Sequence, residues 1–238
     1  MIPTKQLIVE FDRRFDRFAS EFKVNLRLED KLSVLNEAYM TIFENTVKMA
    51  EVKSKVRHDI RNFEIKNVNL ELLKKEKDFT VFTLPKGFYK RLRITTTITR
   101  PDCPDKERIP VIFFQTDDLD QALKDSYWGP SFEWETVLGD EGSEGILVYH
   151  NGKFGVSKCT IDYYRKPNIP LQCASMSKTG SYRDSTDTLI DYDVDCEFDT
   201  TYLWQDLVDL AVLIARADIG DTRDMKIQRE KILVKQQT

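Results

Sequence analysis

The sequence predicts an α+β fold: a helical bundle formed by both chain ends, with an antiparallel, sandwich-like β-domain inserted between them. Three observations carry this. Residues 4–84 contain neither Gly nor Pro, and their first part is periodic like a helix. A middle stretch rich in β-branched residues and turn signals follows, and an apolar helical segment returns at 201–219. Helices at both ends of a strand-rich insert imply that the end segments meet, so the expected domains are 1–62 plus 199–238 and 63–198.

The first helix follows from Leu7, Phe11, Phe15, Phe18 and Phe22, spaced by four and three, with Asp12, Arg13, Arg14, Asp16 and Arg17 on the other face. Thr4 is its expected N-cap. The second opens near Glu29-Asp30, where carboxylates suit the helix dipole. Its stripe of Leu28, Leu32, Leu35, Tyr39, Ile42, Thr46 and Met49 repeats near 3.5, as in lengthwise helix packing. Val52, Val56 and Ile60 extend it toward residue 62, unless Ser54 breaks it.

After Asn62 the period changes to two. Strands are predicted around Phe63–Val68, Phe79–Leu84, Leu92–Thr99 and Val111–Phe114, with a short helix over Asp117–Lys124. The sharpest turn signal is Asn151-Gly152, between Gly145–His150 and Lys153–Tyr163, and it predicts a type I′ hairpin. Cys173–Ser185 reads as loop, and Thr188–Phe198 as one more strand with an acidic face. In the last helix Leu203, Leu207, Leu210, Ala211 and Ile214 mark one face while Val208, Val212, Leu213 and Ala215 cover most of the rest, so it should be buried. Gly220 ends it, and 221–238 is a charged extension carrying Ile227, Ile232 and Val234.

Composition narrows function. The 238 residues carry a net charge of −4, so no basic excess marks a nucleic-acid grip. Cys103, Cys159, Cys173 and Cys196 are widely spaced, form no C-x-x-C pair and read as free thiols of a reducing compartment. The N-terminus lacks the shape of a signal peptide, and the apolar run Leu210–Ala215 is far short of the ~20 residues of a membrane span, so no membrane is expected.

No residue pattern points to catalysis, a cofactor or a metal, and no enzyme is expected. The two histidines, His58 and His150, lie far apart, and His150 is placed at the surface beside its turn. Asp191, Asp193 and Asp195 share one side of a strand and would, with Asp199, serve a metal-dependent hydrolase; a solvated acidic edge is the simpler reading. Arg57, Arg61, Lys74, Lys75 and Lys77 read as scattered surface charge. Tyr127-Trp128-Gly129-Pro130 with Phe132 and Trp134 is an aromatic cluster that suits core or interface equally.

Four stretches carry a resemblance. They are the helical Lys31-Leu32-Ser33-Val34-Leu35-Asn36-Glu37-Ala38, the step Phe82-Thr83-Leu84-Pro85-Lys86-Gly87-Phe88-Tyr89, the run Ile146–Pro167 ending Tyr163-Tyr164-Arg165-Lys166-Pro167, and Leu207-Val208-Asp209-Leu210-Ala211. In these the chain resembles the ring (head–tail connector) proteins of crAss-like tailed bacteriophages, which are distantly similar to the tail adaptor of short-tailed phages. One departure is Trp204-Gln205, where that family has a His-Glu-like pair. The resemblance implies a structural virion protein, assembled in the host cytoplasm into a ring of about a dozen copies in the neck or tail. Its partners would be the portal protein and adjacent rings, with DNA passing through the channel without sequence-specific binding.

On that reading helices 4–22 and 29–62 form subunit contacts and 221–238 orders on a neighbour. The expected interaction residues are Phe11, Phe15, Phe18, Tyr39, Ile42, Trp128, Trp134, Ile227, Ile232 and Val234. The rival is a β-sandwich module that takes a glycan or receptor on the cluster 127–134.

Overall fold

The computed structural model describes residues 1–19, 26–101, 103–114, 116–125, 127–174, 180–184, 186–199 and 201–218. They form two compact units, one from 1–62 with 167–238 and one from 63–166.

The first unit holds three helices. Helix α1 (Thr4–Ala19) buries Leu7, Ile8, Phe11 and Phe15, and the rings of Phe11 and Phe15 stack 5.5 Å apart. Its cap differs from the expected one. Thr4 is the first helical residue; its hydroxyl donates to the Val194 carbonyl at 2.6 Å, and the Asp195 carboxylate accepts the Thr4 N–H at 2.9 Å. A carboxylate remote in sequence thus meets the positive end of the helix.

Helix α2 (Leu28–Val52) stops where Lys53 turns extended, its N–H closing on the Met49 carbonyl at 2.8 Å, and a short 3-10 segment from Ser54 to His58 follows. The break falls beside Ser54, and no single helix reaches residue 62. The expected stripe residues Leu32, Leu35, Tyr39, Ile42 and Thr46 are all buried. Helix α4 (Thr201–Asp218) packs on both α1 and α2. It buries Leu203, Leu207, Val208, Leu210, Ala211, Val212, Leu213 and Ala215, as an apolar girdle between two partners requires. Lys31 binds Asp12 across α1 and α2 at 2.7 Å, and Arg14 binds Asp209 across α1 and α4.

The second unit is one eight-stranded sheet with a helix. Its strands are β1 (Glu64–Asn69), β2 (Leu72–Lys75), β3 (Phe79–Phe82), β4 (Phe88–Thr99), β5 (Lys106–Phe113), β6 (Val137–Gly142), β7 (Gly145–Tyr149) and β8 (Gly155–Arg165), in the order β1-β8-β4-β5-β6-β7-β3-β2. The outermost strands, β1 and β2, are separated by only Leu70 and Glu71. Leu70 donates its N–H to Cys159 of β8, while Glu71 accepts the N–H of Thr83 just beyond β3. One chain segment therefore closes both margins, and the sheet must curl to allow it. Inside the curl lie Leu70, Phe82, Ile94, Ile98, Ile109, Val137, Ile146, Val148, Val156, Cys159 and Ile161. β5 and β6 run parallel, joined through α3 (Thr116–Lys124), whose Leu119 and Ala122 pack on Leu138 of β6.

This overturns the expected helical bundle with a separate antiparallel sandwich. Among the described residues the architecture is mixed α/β, with four helices, a curled half-barrel of eight strands and a small two-stranded sheet. Within the second unit's described residues there is one sheet, and closure by curling buries its inner face. The helical unit is not purely helical either. The segment from 167 to 198 runs with it and carries the small sheet of β9 (Tyr182–Arg183) and β10 (Leu189–Ile190).

The Asn151-Gly152 turn also corrects the sequence reading. Both residues take positive φ, +48° and +65°, and the Lys153 N–H returns to the His150 carbonyl at 2.9 Å. The turn is therefore of the expected kind, yet the flanking strands do not pair. β7 pairs with β3 and β6, whereas β8 pairs with β1 and β4. β7 instead forms its hairpin with β6, turning at Ser143-Glu144 with Gly142 opposite Gly145.

Candidate interaction surface

The connection from α3 to β6 presents three large aromatic side chains to solvent. Tyr127, Trp128 and Trp134 are 81%, 54% and 83% exposed. Local hydrogen bonds hold their backbone. Asp125 closes the first turn, its Oδ1 accepting the N–H groups of Tyr127 at 2.6 Å and Trp128 at 3.1 Å. The Gly129 N–H returns to the Asp125 carbonyl at 3.0 Å, and a Cβ at 129 would stand 2.4 Å from that oxygen, so the turn needs glycine. Trp134 sits at the tip of a second turn, closed by reciprocal backbone bonds between Ser131 and Thr136 and by a left-handed Glu135 at φ +55°. Phe132, inside this loop, is the buried anchor, within cation–π reach of Lys106 at 4.9 Å.

Beside Trp128 a cleft of about 350 Å3 opens against α3, lined by Phe114, Asp118, Gln121, Ala122, Asp125 and Trp128. The surface thus offers a protruding indole at 134 and a half-apolar recess with two carboxylates on its rim. Such a recess takes an apolar or aromatic side chain, with room for a neighbouring cation at its edge.

The other expected interaction residues lie elsewhere. Phe11, Phe15, Tyr39 and Ile42 are interior to the helical unit, at most 3% exposed. The Phe18 side chain and Ile227, Ile232 and Val234 lie outside the described residues.

The candidates for chemistry are likewise dispersed. Asp195 caps α1, while Asp191 and Asp193 are exposed and sit outside the short strand Leu189–Ile190. Among the described residues no three His, Cys, Asp or Glu side chains gather as metal ligands. Cys103 is exposed; Cys159, Cys173 and Cys196 are buried free thiols, and burial pushes Cys159 up to about 12 and Cys196 up to about 11. No described helix is long and apolar enough to cross a membrane.

His150, expected at the surface, is 3% exposed. Its Nδ1 accepts the Gly152 N–H at 3.2 Å, which leaves Nε2–H to donate to the Thr80 hydroxyl at 3.2 Å. Burial first, and then the Lys75 charge, lower its pKa against the opposing pull of Asp78. A histidine held neutral in the fold binds a proton more readily once unfolded. Its contribution is therefore present above the unfolded value of roughly 6.5 and is lost as pH falls toward the folded value. We expect the urea midpoint to drop as pH is lowered below that value. His150→Asn keeps the bond from Gly152 through its Oδ1 and should flatten that dependence; an unchanged slope in this variant would assign the titration elsewhere.

Set against models of known protein families and against curated proteins, the chain matches none.

Proposed function

We propose that this protein is a structural subunit that assembles with copies of itself into a ring, within the neck or tail of a virion, as the four resembling stretches imply. The observation that supports it best is the pair of unlike features on one connection: the Trp134 projection and the cleft beside Trp128. A closed ring needs a heterologous contact, in which one patch of each copy meets a different patch of the next. Exposed indoles on hydrogen-bonded turns are the side chains that most often anchor such contacts.

The test exploits that asymmetry. Wild-type protein should run above its 27.9 kDa monomer mass in concentrated solution by light scattering. Trp134→Ala loses the projection but keeps the recess; Trp128→Ala loses the recess wall but keeps the projection. Each alone should be monomeric, and an equimolar mixture should give one-to-one dimers and no larger species. Oligomers that survive both substitutions would remove this surface from the assembly.

A second reading is favoured by the same exposed rings: a binding module that stacks a sugar on Tyr127, Trp128 and Trp134. It expects a monomer throughout and glycan binding that Trp134→Ala abolishes.

A further inference from the structure

The solvent face of β4 and β8 carries a trough of about 600 Å3, lined among others by Arg93, Thr95, Thr97, Arg108, Lys158 and Thr160. Strand alternation produces it. Ile94, Thr96 and Ile98 turn into the core, so Arg93, Thr95 and Thr97 stand outward.

Two register breaks shape its sides. In β1 the pairing passes from Ile65–Tyr163 to Val68–Ile161, leaving Lys66 and Asn67 opposite Asp162, with Asn67 at φ +54°. In β5 it passes from Ile98–Lys106 to Thr96–Ile109, leaving Glu107 and Arg108 opposite Thr97, with Arg108 at φ +58°. Each is a bulge with an extra residue in the left-handed region, the device that re-aims a side chain out of a regular strand. Asparagine tolerates that conformation, but for arginine it is a strain that a glycine would relieve.

The charges are arranged unequally. Asp162 spends both oxygens inside the protein: Oδ1 accepts the Asn67 N–H at 2.7 Å, and Oδ2 accepts Nε and Nη2 of Arg93 at 3.2 and 2.9 Å. Arg93 is thereby held in place with donors to spare. Among the described residues Arg108 and Lys158 form no ion pair, and Glu107 is the one lining carboxylate. The described lining contains no aromatic ring, so it offers charge, hydroxyls and amides and no stacking platform.

We infer that this trough is a binding site for phosphate oxyanions, with Arg93, Arg108 and Lys158 supplying charge-assisted hydrogen bonds and the threonine hydroxyls completing the shell. The strained Arg108 is the residue that sets it apart from an ordinary strand surface. The inference is independent of the ring reading.

Calorimetric titration of the full chain at low ionic strength tests it with two probes, inorganic tripolyphosphate and a short oligothymidylate. Binding of tripolyphosphate alone identifies a phosphomonoester-like ligand, and binding of the oligothymidylate a phosphodiester backbone. In either case Arg108→Gly and Lys158→Gln should each weaken binding about tenfold, and Glu107→Gln should tighten it. Arg108→Gly should also raise the unfolding midpoint, because glycine takes φ +58° freely, so lost binding cannot be lost folding. Silence with both probes, or affinity untouched by both cation substitutions, overturns the assignment.

Discussion

Alanine at position 145 should destabilise the sheet unit by about 3 kcal/mol or more. Gly145 opens β7 at φ +144°, where side chains are strained, and a Cβ there would stand 2.1 Å from the Phe82 carbonyl oxygen and 3.3 Å from the Cα of Thr83. Both obstacles are backbone, so no flexible side chain can yield. Relief requires β3 and β7 to part where Phe82 pairs with Ile146, two buried members of the same core. Gly87→Ala is the control. It shares the positive φ, at +77°, but has open space around it, and should cost only ~1 kcal/mol. Urea denaturation that finds the two variants equal would show that crowding at Phe82 is not what demands the glycine.

Tyr39→Ala should cost the helical unit about 3–5 kcal/mol. The ring is fully buried, meets Phe198 edge-on at 5.0 Å, and its hydroxyl oxygen accepts the N–H of Glu197 at 3.1 Å. Tyr39→Phe keeps the ring and orphans that N–H, for about 1–3 kcal/mol. Hydrogen exchange locates the damage: protection should fall in α1, α2 and α4 and persist in β4 and β8. Loss confined to the surface, with native exchange in all three helices, would return Tyr39 to the role of a contact residue. An assembly defect of the alanine variant would follow from an unfolded helical layer, whereas Trp134→Ala, at a side chain 83% exposed, should leave the fold intact.

The helices were legible because burial there is one-sided and local. The four-and-three spacing of Leu7, Phe11 and Phe15 sets a face, and the apolar girdle of α4 announces two partners. What that spacing does not reveal is how deep the face lies; Phe11 and Tyr39 read equally well as interface or interior until the chain around them is placed. Strands with an inward face, such as β4 with Ile94, Thr96 and Ile98, were legible for the same reason. β2 was not, because all four of its residues, Leu72 to Lys75, are exposed at the sheet margin and no alternation survives. β6, Val-Leu-Gly-Asp-Glu-Gly, holds two glycines and two acids and carries no strand signal; Gly139 is needed because a Cβ would stand 2.5 Å from Val111 of the parallel neighbour.

Pairing was the hardest property to read. Asn151 and Gly152 carry complete information about their own dihedrals and none about which strands the chain joins next. Of the candidate surface, Trp128 and Trp134 were visible by composition, but their exposure depends on turns at Asp125, Gly129 and Glu135 that the sequence reading missed. Arg108 left no trace in the sequence, since a bulge is a mismatch between strands and not a property of either.

The sheet unit is a contiguous insertion whose ends meet, with Glu64 opposite Tyr164 in neighbouring strands. The helical unit is split around it, and about 150 residues separate the end of α2 from the start of α4. During synthesis the inserted piece can therefore mature while α1 and α2 wait with apolar stripes uncovered, for roughly ten seconds at ordinary elongation rates. Nascent chains stalled before residue 201 should recruit a holdase chaperone that chains released after 218 no longer bind.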